Sequence, residues 1–255
     1  SVPNRSCFLP FGKYTIATEG FCVKNWFAKC TPKRQDMPNF TSKAHQPMTI
    51  TQSMTPEKKP SRIQLRNRLR ILDAALDIFS QHGFRGSTLD QISRESGLSK
   101  PNILYYFSAK EEIHITLLNQ LMETWLDPLI EMDSNGEPLE EILNYVQRKL
   151  DMARELPRES RLFANEILQG APRMAPHLKR DLLPLVDEKC AVIQNWMDQG
   201  KLAPTNPRHL MYSIWSTTQH YADFEAQLNI ISTDNTYAEA QTYLRHLFTN
   251  LLNPT

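Results

Sequence analysis

From Ser61 onward the apolar positions recur every three or four residues, and no alternating pattern of useful length interrupts them. Between positions 63 and 82, Leu69, Leu72, Leu76 and Phe79 share one side of a helix, which predicts that this side packs inward. The glycines after residue 60 stand at 83, 86, 97, 136, 170 and 200, each where a helical pattern stops or starts. Thr88, with Gln91 three positions later, opens a second helix through a capping box. Ser99 is placed to cap a third, whose first turn holds Pro101. Lys110 opens a long fourth helix to about Met132, and Pro128 should kink or end it. Further helical stretches follow at 138–155, 157–170, 176–199 (interrupted by Pro184), 207–229 and 237–252. The pattern predicts an all-α chain of about nine helices, three in front and six behind.

Residues 1–60 break this rhythm. They lack sustained periodicity and are rich in Pro, Thr, Ser and Lys, which predicts a disordered N-terminal extension. No apolar core follows a basic start there, so it does not read as a signal peptide. Met48 and Met54 lie just before the periodic region, and one of them is the expected start of translation. No apolar run approaches the roughly 20 residues that cross a bilayer, and a cytoplasmic protein is expected.

Charge divides the chain more sharply than its net of +1 suggests. Residues 1–60 carry nine Lys/Arg against three acids, and residues 61–110 carry eight against four. The remaining 12 basic and 21 acidic residues give 111–255 a net of −9. A basic front on an acidic body points to a polyanion partner at the front only.

The stretch STLDQISRESGLSKPNILYYFSAK, from Ser87 to Lys110, concentrates the candidate chemistry. Two short helices joined at Gly97 have the form of a helix-turn-helix, in which the second helix enters the major groove of DNA. Ser99, Lys100, Pro101 and Asn102 open that helix, with Tyr105 and Tyr106 one turn on. Lys100 can reach a phosphate or a guanine edge, and Asn102 an adenine. One tyrosine hydroxyl is expected on phosphate, with the other ring turned inward. Thr88 opens a helix whose N–H groups suit a phosphate, and Lys110 adds a positive end. Arg62, Arg66 and Arg70 recur at four-residue steps and can neutralise backbone charge. A plain three-helix bundle, with Ile92, Leu98, Ile103, Leu104 and Phe107 as core, accounts for the apolar positions equally well. It does not account for an exposed set of Ser, Lys, Asn and Tyr with almost no acid. A helical interaction protein that never binds DNA stays open on these grounds alone.

The run AALDIFSQHGFRGSTLDQISRESGLSKPNILYYFSAKEEI resembles the N-terminal domain of the TetR family of bacterial regulators. The likeness includes Phe79, Gly83-Phe84, Thr88, Ile92, Gly97, Tyr105-Tyr106-Phe107 and Lys110-Glu111. It implies a helix-turn-helix DNA-binding domain over 61–109. It also implies a helical ligand-binding and dimerisation domain over 110–255, working as a homodimer on double-stranded operator DNA. In the back half, METWLDPL, SRLFANEILQGAP, LVDEKCAVIQNWMDQGKLAP and IWSTTQHYADFEAQL are similar to the family's repressors of pyrimidine utilisation. That likeness implies uracil or thymine as the effector that releases DNA; another small planar molecule is the alternative.

A pyrimidine base is flat and edged by alternating C=O and N–H groups, so its pocket needs apolar walls and a few polar groups on the edge. Trp215 and Gln219 are i, i+4 neighbours, and Gln219 both donates and accepts. Trp125, Leu126 and Phe163 are candidate walls, with Glu166 and His220 as further polar candidates. Aromatic residues at helical spacing are also what an ordinary core uses, and His220, Tyr221 and Phe224 also suit a subunit seam. The two chains are expected to pair through the stretches 207–229 and 237–252. No cofactor is expected. His209 and His220, eleven positions apart, do not share a helix face as metal ligands would. The absence of a Gly-rich phosphate loop, a G-x-S-x-G turn and a CxxC pair argues against an enzyme or a zinc ribbon.

Overall fold

The computed structural model describes residues 61–232 and 236–254. The expectations for residues 1–60, including the start at Met48 or Met54, lie outside them. Among the described residues there is no strand. The helices are α1 (Arg62–Gly86), α2 (Leu89–Ser96), α3 (Lys100–Tyr106), α4 (Lys110–Ile130), α5 (Pro138–Glu155), α6 (Pro157–Leu168), α7 (Leu183–Asp198), α8 (Pro207–Asp223), α9 (Glu225–Ile231) and α10 (Thr236–Leu252). None is long and apolar enough to cross a membrane.

Local chemistry sets most boundaries. Ser61 and Gln64 form a capping box at the start of α1, and Thr88 and Gln91 form the expected one at α2. Gly83 breaks α1 near its end with φ 64°, so the last turn, Phe84–Gly86, sets off in a new direction. Gly97 ends α2 at φ 65°, and an added Cβ there would also stand 3.0 Å from the Arg70 guanidinium. Ser99 occupies the N-cap of α3 through its backbone only; its hydroxyl makes no capping bond. The fourth helix runs through Pro128 and ends two residues later. A π-helical turn, Leu178–Leu182, precedes α7, and Pro184 then falls in the first turn, where no N–H is needed. The predicted helix 207–229 is two helices, because the chain turns at Phe224.

Two clusters form the interior. The front cluster joins Ile71, Leu76 and Phe79 of α1 to Ile92, Ile103 and Phe107, and extends to Ile113 and Leu118 of α4 and Leu162 of α6. The back cluster packs Leu129, Ile142, Leu150, Ile193, Trp196, Ile214 and Phe248 together. Helix α4 therefore belongs to the front core by its first half and to the back core by its end. Two expected core residues face solvent instead: Leu69 is 36% exposed and Leu104 43%. On α10, Ala240, Leu244, Phe248 and Leu252 point inward, while Tyr243, Leu247 and Leu251 stand exposed.

Candidate DNA interface and effector site

At the front, α1 braces the two short helices. Arg70 donates to the Ser96 carbonyl oxygen at 2.6 Å and so holds the end of α2. The Arg68 guanidinium lies 4.3 Å from the centre of the Phe107 ring. Gln64 donates to the Tyr105 hydroxyl at 3.1 Å, and Asn67 to the Tyr106 hydroxyl at 3.2 Å. Tyr105 stays 69% exposed, whereas Tyr106 is half-buried against the front core. Arg62, Arg66, Thr88, Ser99, Lys100 and Pro101 are all exposed, with Asn102 half-buried beside them. Lys100 pairs with Asp90 at 3.1 Å on an open surface, an arrangement worth at most about 1 kcal/mol.

Behind this head, four helices bring a second set of side chains together. On α5, Tyr145 and Lys149 are one turn apart and both buried. On α8, Trp215, Gln219 and Asp223 recur at four-residue steps. The Trp215 indole donates to the Tyr145 hydroxyl at 2.7 Å, and the Asp223 charge is felt by Lys149. These two links bracket Gln219, whose half-buried amide has no partner among the described residues. The Lys149 ammonium lies 4.3 Å from the centre of the Trp125 ring on α4. Phe163 of α6 packs on the same indole at 4.7 Å between ring centres. Ser160, three residues before Phe163, donates to Asp223 at 2.6 Å. Burial pushes the Tyr145 phenol up to about 12 and the Lys149 ammonium down to about 8, with Asp223 opposing the latter shift. The Trp125 Nε1 is buried and unpartnered.

Comparison with known proteins decides what carries these two sites. The model for bacterial regulatory proteins of the tetR family matches residues 71–115, and that for the C-terminal region of YcdC-like proteins matches 118–255. The chain belongs to the TetR family of transcriptional regulators. It is 46% identical over 174 residues to the HTH-type transcriptional regulator RutR of Escherichia coli K12, covering 68% of this chain and 82% of that one. It is 26% identical over 165 residues to the HTH-type transcriptional regulator YfiR of Bacillus subtilis, covering 62% and 76%. Among solved structures, the regulator SCO4942 of Streptomyces coelicolor superposes with a TM-score of 0.58 at 19% identity, covering 74% of this chain and 99% of its own. AibR, solved with isovaleryl coenzyme A and operator DNA, gives 0.59 at 15%, covering 74% and 100%. These relatives are regulators, not enzymes. This TetR-type chain is a DNA-binding transcriptional regulator.

Helix α6 connects the two sites of the TetR-type architecture. Its Arg158 pairs with Asp77 and Asp73 of α1 at 2.8 and 3.1 Å, and Leu162 enters the front core. Its Ser160 and Arg161 hold Asp223 and Glu225. Beyond its end, Arg173 receives the buried Glu166 carboxylate on its backbone N–H at 2.7 Å and on its guanidinium at 3.4 Å. The same guanidinium pairs with Glu111 at 3.0 Å and lies 3.7 Å from the centre of the Phe84 ring.

Three further candidates have other neighbours. The Glu166 carboxylate is held by Arg173 at the junction with the head. His220 stacks on Phe224 at 4.8 Å, one helix position round from the face that carries Trp215 and Gln219. Leu126, like Phe163, packs half-buried against the front core. Lys110 donates to the carbonyl oxygens of Phe84 and Ser87 at 2.6 and 2.5 Å and lies over the Phe84 ring, so it clamps the head to α4. Tyr221 packs on Tyr237 within the chain, while Phe224 is 52% exposed. Sequence reading missed Tyr145, Lys149, Ser160, Asp223 and Arg173. The i, i+4 spacing of Tyr145 and Lys149 on an otherwise apolar face was the signal that marked the first two. An open groove of about 340 Å³ between Pro128, Met132 and α5 has Tyr145 in its lining.

Proposed function

We propose that the chain is a repressor of pyrimidine catabolism that uracil or thymine releases from its operator. The observation that carries this reading is the box on α4, α5, α6 and α8. It has flat aromatic walls at Trp125 and Phe163, a free amide at Gln219, and a buried indole N–H without a partner. A flat molecule with C=O and N–H edges satisfies these groups, and the buried indole N–H left unpaired costs about 1–3 kcal/mol. The back-half segments that resemble repressors of pyrimidine utilisation support a pyrimidine base as that molecule.

In this reading Ser99, Lys100, Pro101, Asn102 and Tyr105 meet DNA in the major groove. Arg62, Arg66, Thr88 and Tyr106 serve the phosphates or brace the residues that do. Lys110 acts from behind them. The protein works in the cytoplasm as a homodimer paired through α8 and α10, whose exposed Tyr212, Tyr243, Leu247 and Leu251 need cover, as does Phe224 just after α8. Two reading helices about 34–36 Å apart then meet successive major grooves. Ligand in the box favours another setting of α4 and α6, and α6 passes it to α1 through Arg158. Effector action requires different affinity for the two settings.

Titration of uracil, thymine and unrelated planar molecules against protein bound to its selected operator tests the reading. Release by the two bases at concentrations that leave the others inert is expected. No release by either base rejects the pyrimidine assignment.

A further inference from the structure

Among the described residues two lysines are almost fully buried, and they are treated differently. Lys189 is 7% exposed and is satisfied: it donates to the Met132 carbonyl oxygen at 3.2 Å and pairs with Glu188 at 3.1 Å. It fastens the loop after α4 onto α7. Lys149 is 5% exposed, yet among the described residues it makes no hydrogen bond and no ion pair. Its ammonium lies over the face of Trp125. Asp223 attracts it from a distance, but that carboxylate accepts the Ser160 hydroxyl instead.

An ammonium group taken from water without an acceptor is costly, and a lysine kept only for packing would be replaced by methionine or leucine at a gain. The neighbourhood adds to the imbalance. The Trp125 indole N–H beside it is a buried donor without an acceptor. The Tyr145 oxygen, the nearest hydroxyl on α5, already accepts from Trp215. The box therefore holds surplus donors between flat apolar walls.

We infer that Lys149 is the specificity-determining residue of the effector site: it donates to a ring carbonyl oxygen of the bound base and rejects bases that carry an amino group there. This rests on the box being the effector site, as proposed above. Uracil and thymine present two carbonyl oxygens. Cytosine replaces one with an amino group, which brings a donor against a donor. Discrimination of this kind is strong, because the mismatched ligand leaves the buried groups of the site unpaired. Gln219, able to donate and accept, suits the remaining C=O and N–H edge without choosing between the bases.

The test compares the full-length wild type with Lys149→Met, which keeps length and removes the donors, and Lys149→Gln, which keeps a shorter one. Calorimetric titration with uracil, thymine and cytosine gives the affinities, and thermal melting without ligand gives the stability. The wild type is expected to bind the two diones at least about tenfold more tightly than cytosine. Lys149→Met should bind uracil roughly 10- to 100-fold more weakly, the effect of losing a hydrogen bond to a charged group, and the gap to cytosine should close. Lys149→Gln should fall between. Without ligand, Lys149→Met should melt at or above the wild-type temperature, whereas Lys189→Met should melt lower. A Lys149→Met protein that keeps the wild-type affinity and the gap to cytosine overturns the inference. So does one that melts several degrees lower without ligand, since that makes Lys149 a structural lysine like Lys189. A wild type that binds neither dione fails the pyrimidine reading first and removes the inference with it.

Discussion

The residues proposed to enter the major groove come from one short stretch, Ser99 to Tyr105, while those of the box come from four helices between Trp125 and Asp223. The difference extends to how polar groups are handled. In the head they lie at the surface with weak, exchangeable partners, such as Lys100 with Asp90. In and around the box they are buried, and some lack partners. Among the described residues three buried side-chain atoms have none, His114 Nδ1, Asn119 Oδ1 and Trp125 Nε1, and all three belong to α4. A surface built for phosphates can exchange one partner for another at little cost. A buried site stores its cost until a ligand arrives, and here the helix that stores it also enters the front core. That combination suits a helix asked to hold two settings.

The comparison is easiest to break at the junction. Arg173→Ala leaves the Glu166 carboxylate, buried at the end of α6, without its guanidinium. A loss of roughly 3 kcal/mol is expected, which thermal melting should register as a drop of about 6–12 °C. A change below about 1 kcal/mol would make this an ordinary surface pair and the junction a loose one.

His114 sharpens the contrast through pH. Its ring packs edge-on to Phe79 at 4.8 Å and beside Phe84 at 5.0 Å. Burial, with the charges of Arg173 and Lys110, pushes its pKa down from 6.5 to about 4. Between those values the unfolded chain takes up a proton that the folded protein refuses. Stability is therefore intact above about pH 6.5 and falls as pH drops towards 4, by at most about 3 kcal/mol at about 1.36 kcal/mol per unit. Denaturant melts of wild type and His114→Leu across this range measure the effect. An unchanged acid slope in the variant would place the sensitivity elsewhere.

At the head the expected effects are smaller and depend on salt. Lys100→Ala should weaken operator binding by about 1–2 kcal/mol. If Lys100 meets a phosphate, the slope of log affinity against log salt should fall by about one. If it reads a guanine edge, the loss should concentrate at one base pair. Melting temperature should barely move, because the Asp90 pair lies on the surface. A variant with unchanged affinity and slope would remove Lys100 from the interface.

Sequence reading reached the head almost completely because its signals are local. Caps at Thr88, the turn at Gly97 and the motif around Tyr105 and Tyr106 all lie within one continuous stretch. What it misjudged there was burial: Leu69 of α1 and Leu104 of the reading helix fit the apolar spacing but stand at the surface. The body was legible as helices and much less so as a site. Trp125, Phe163, Trp215 and Gln219 were singled out because their residue types suit a flat ligand. Lys149 was passed over because a lysine on a helix is usually at the surface. The contact of Glu166 with Arg173 was not foreseen, because Arg173 follows a tight turn in which Ala171 takes φ 53°, and no helical spacing anticipates it. The break at Phe224 has neither Gly nor Pro to announce it.

The central claim is that the box and the head are two ends of one equilibrium. Linkage makes this measurable without knowing any regulated gene, because the factor by which effector weakens DNA binding must equal the factor by which DNA weakens effector binding. Uracil affinity should be measured by Trp fluorescence with the protein free and again with saturating operator DNA selected from a random library. Weaker binding to the DNA-bound form, by the same factor that uracil imposes on operator affinity, is the predicted result. Equal uracil affinity in the two forms would contradict the account.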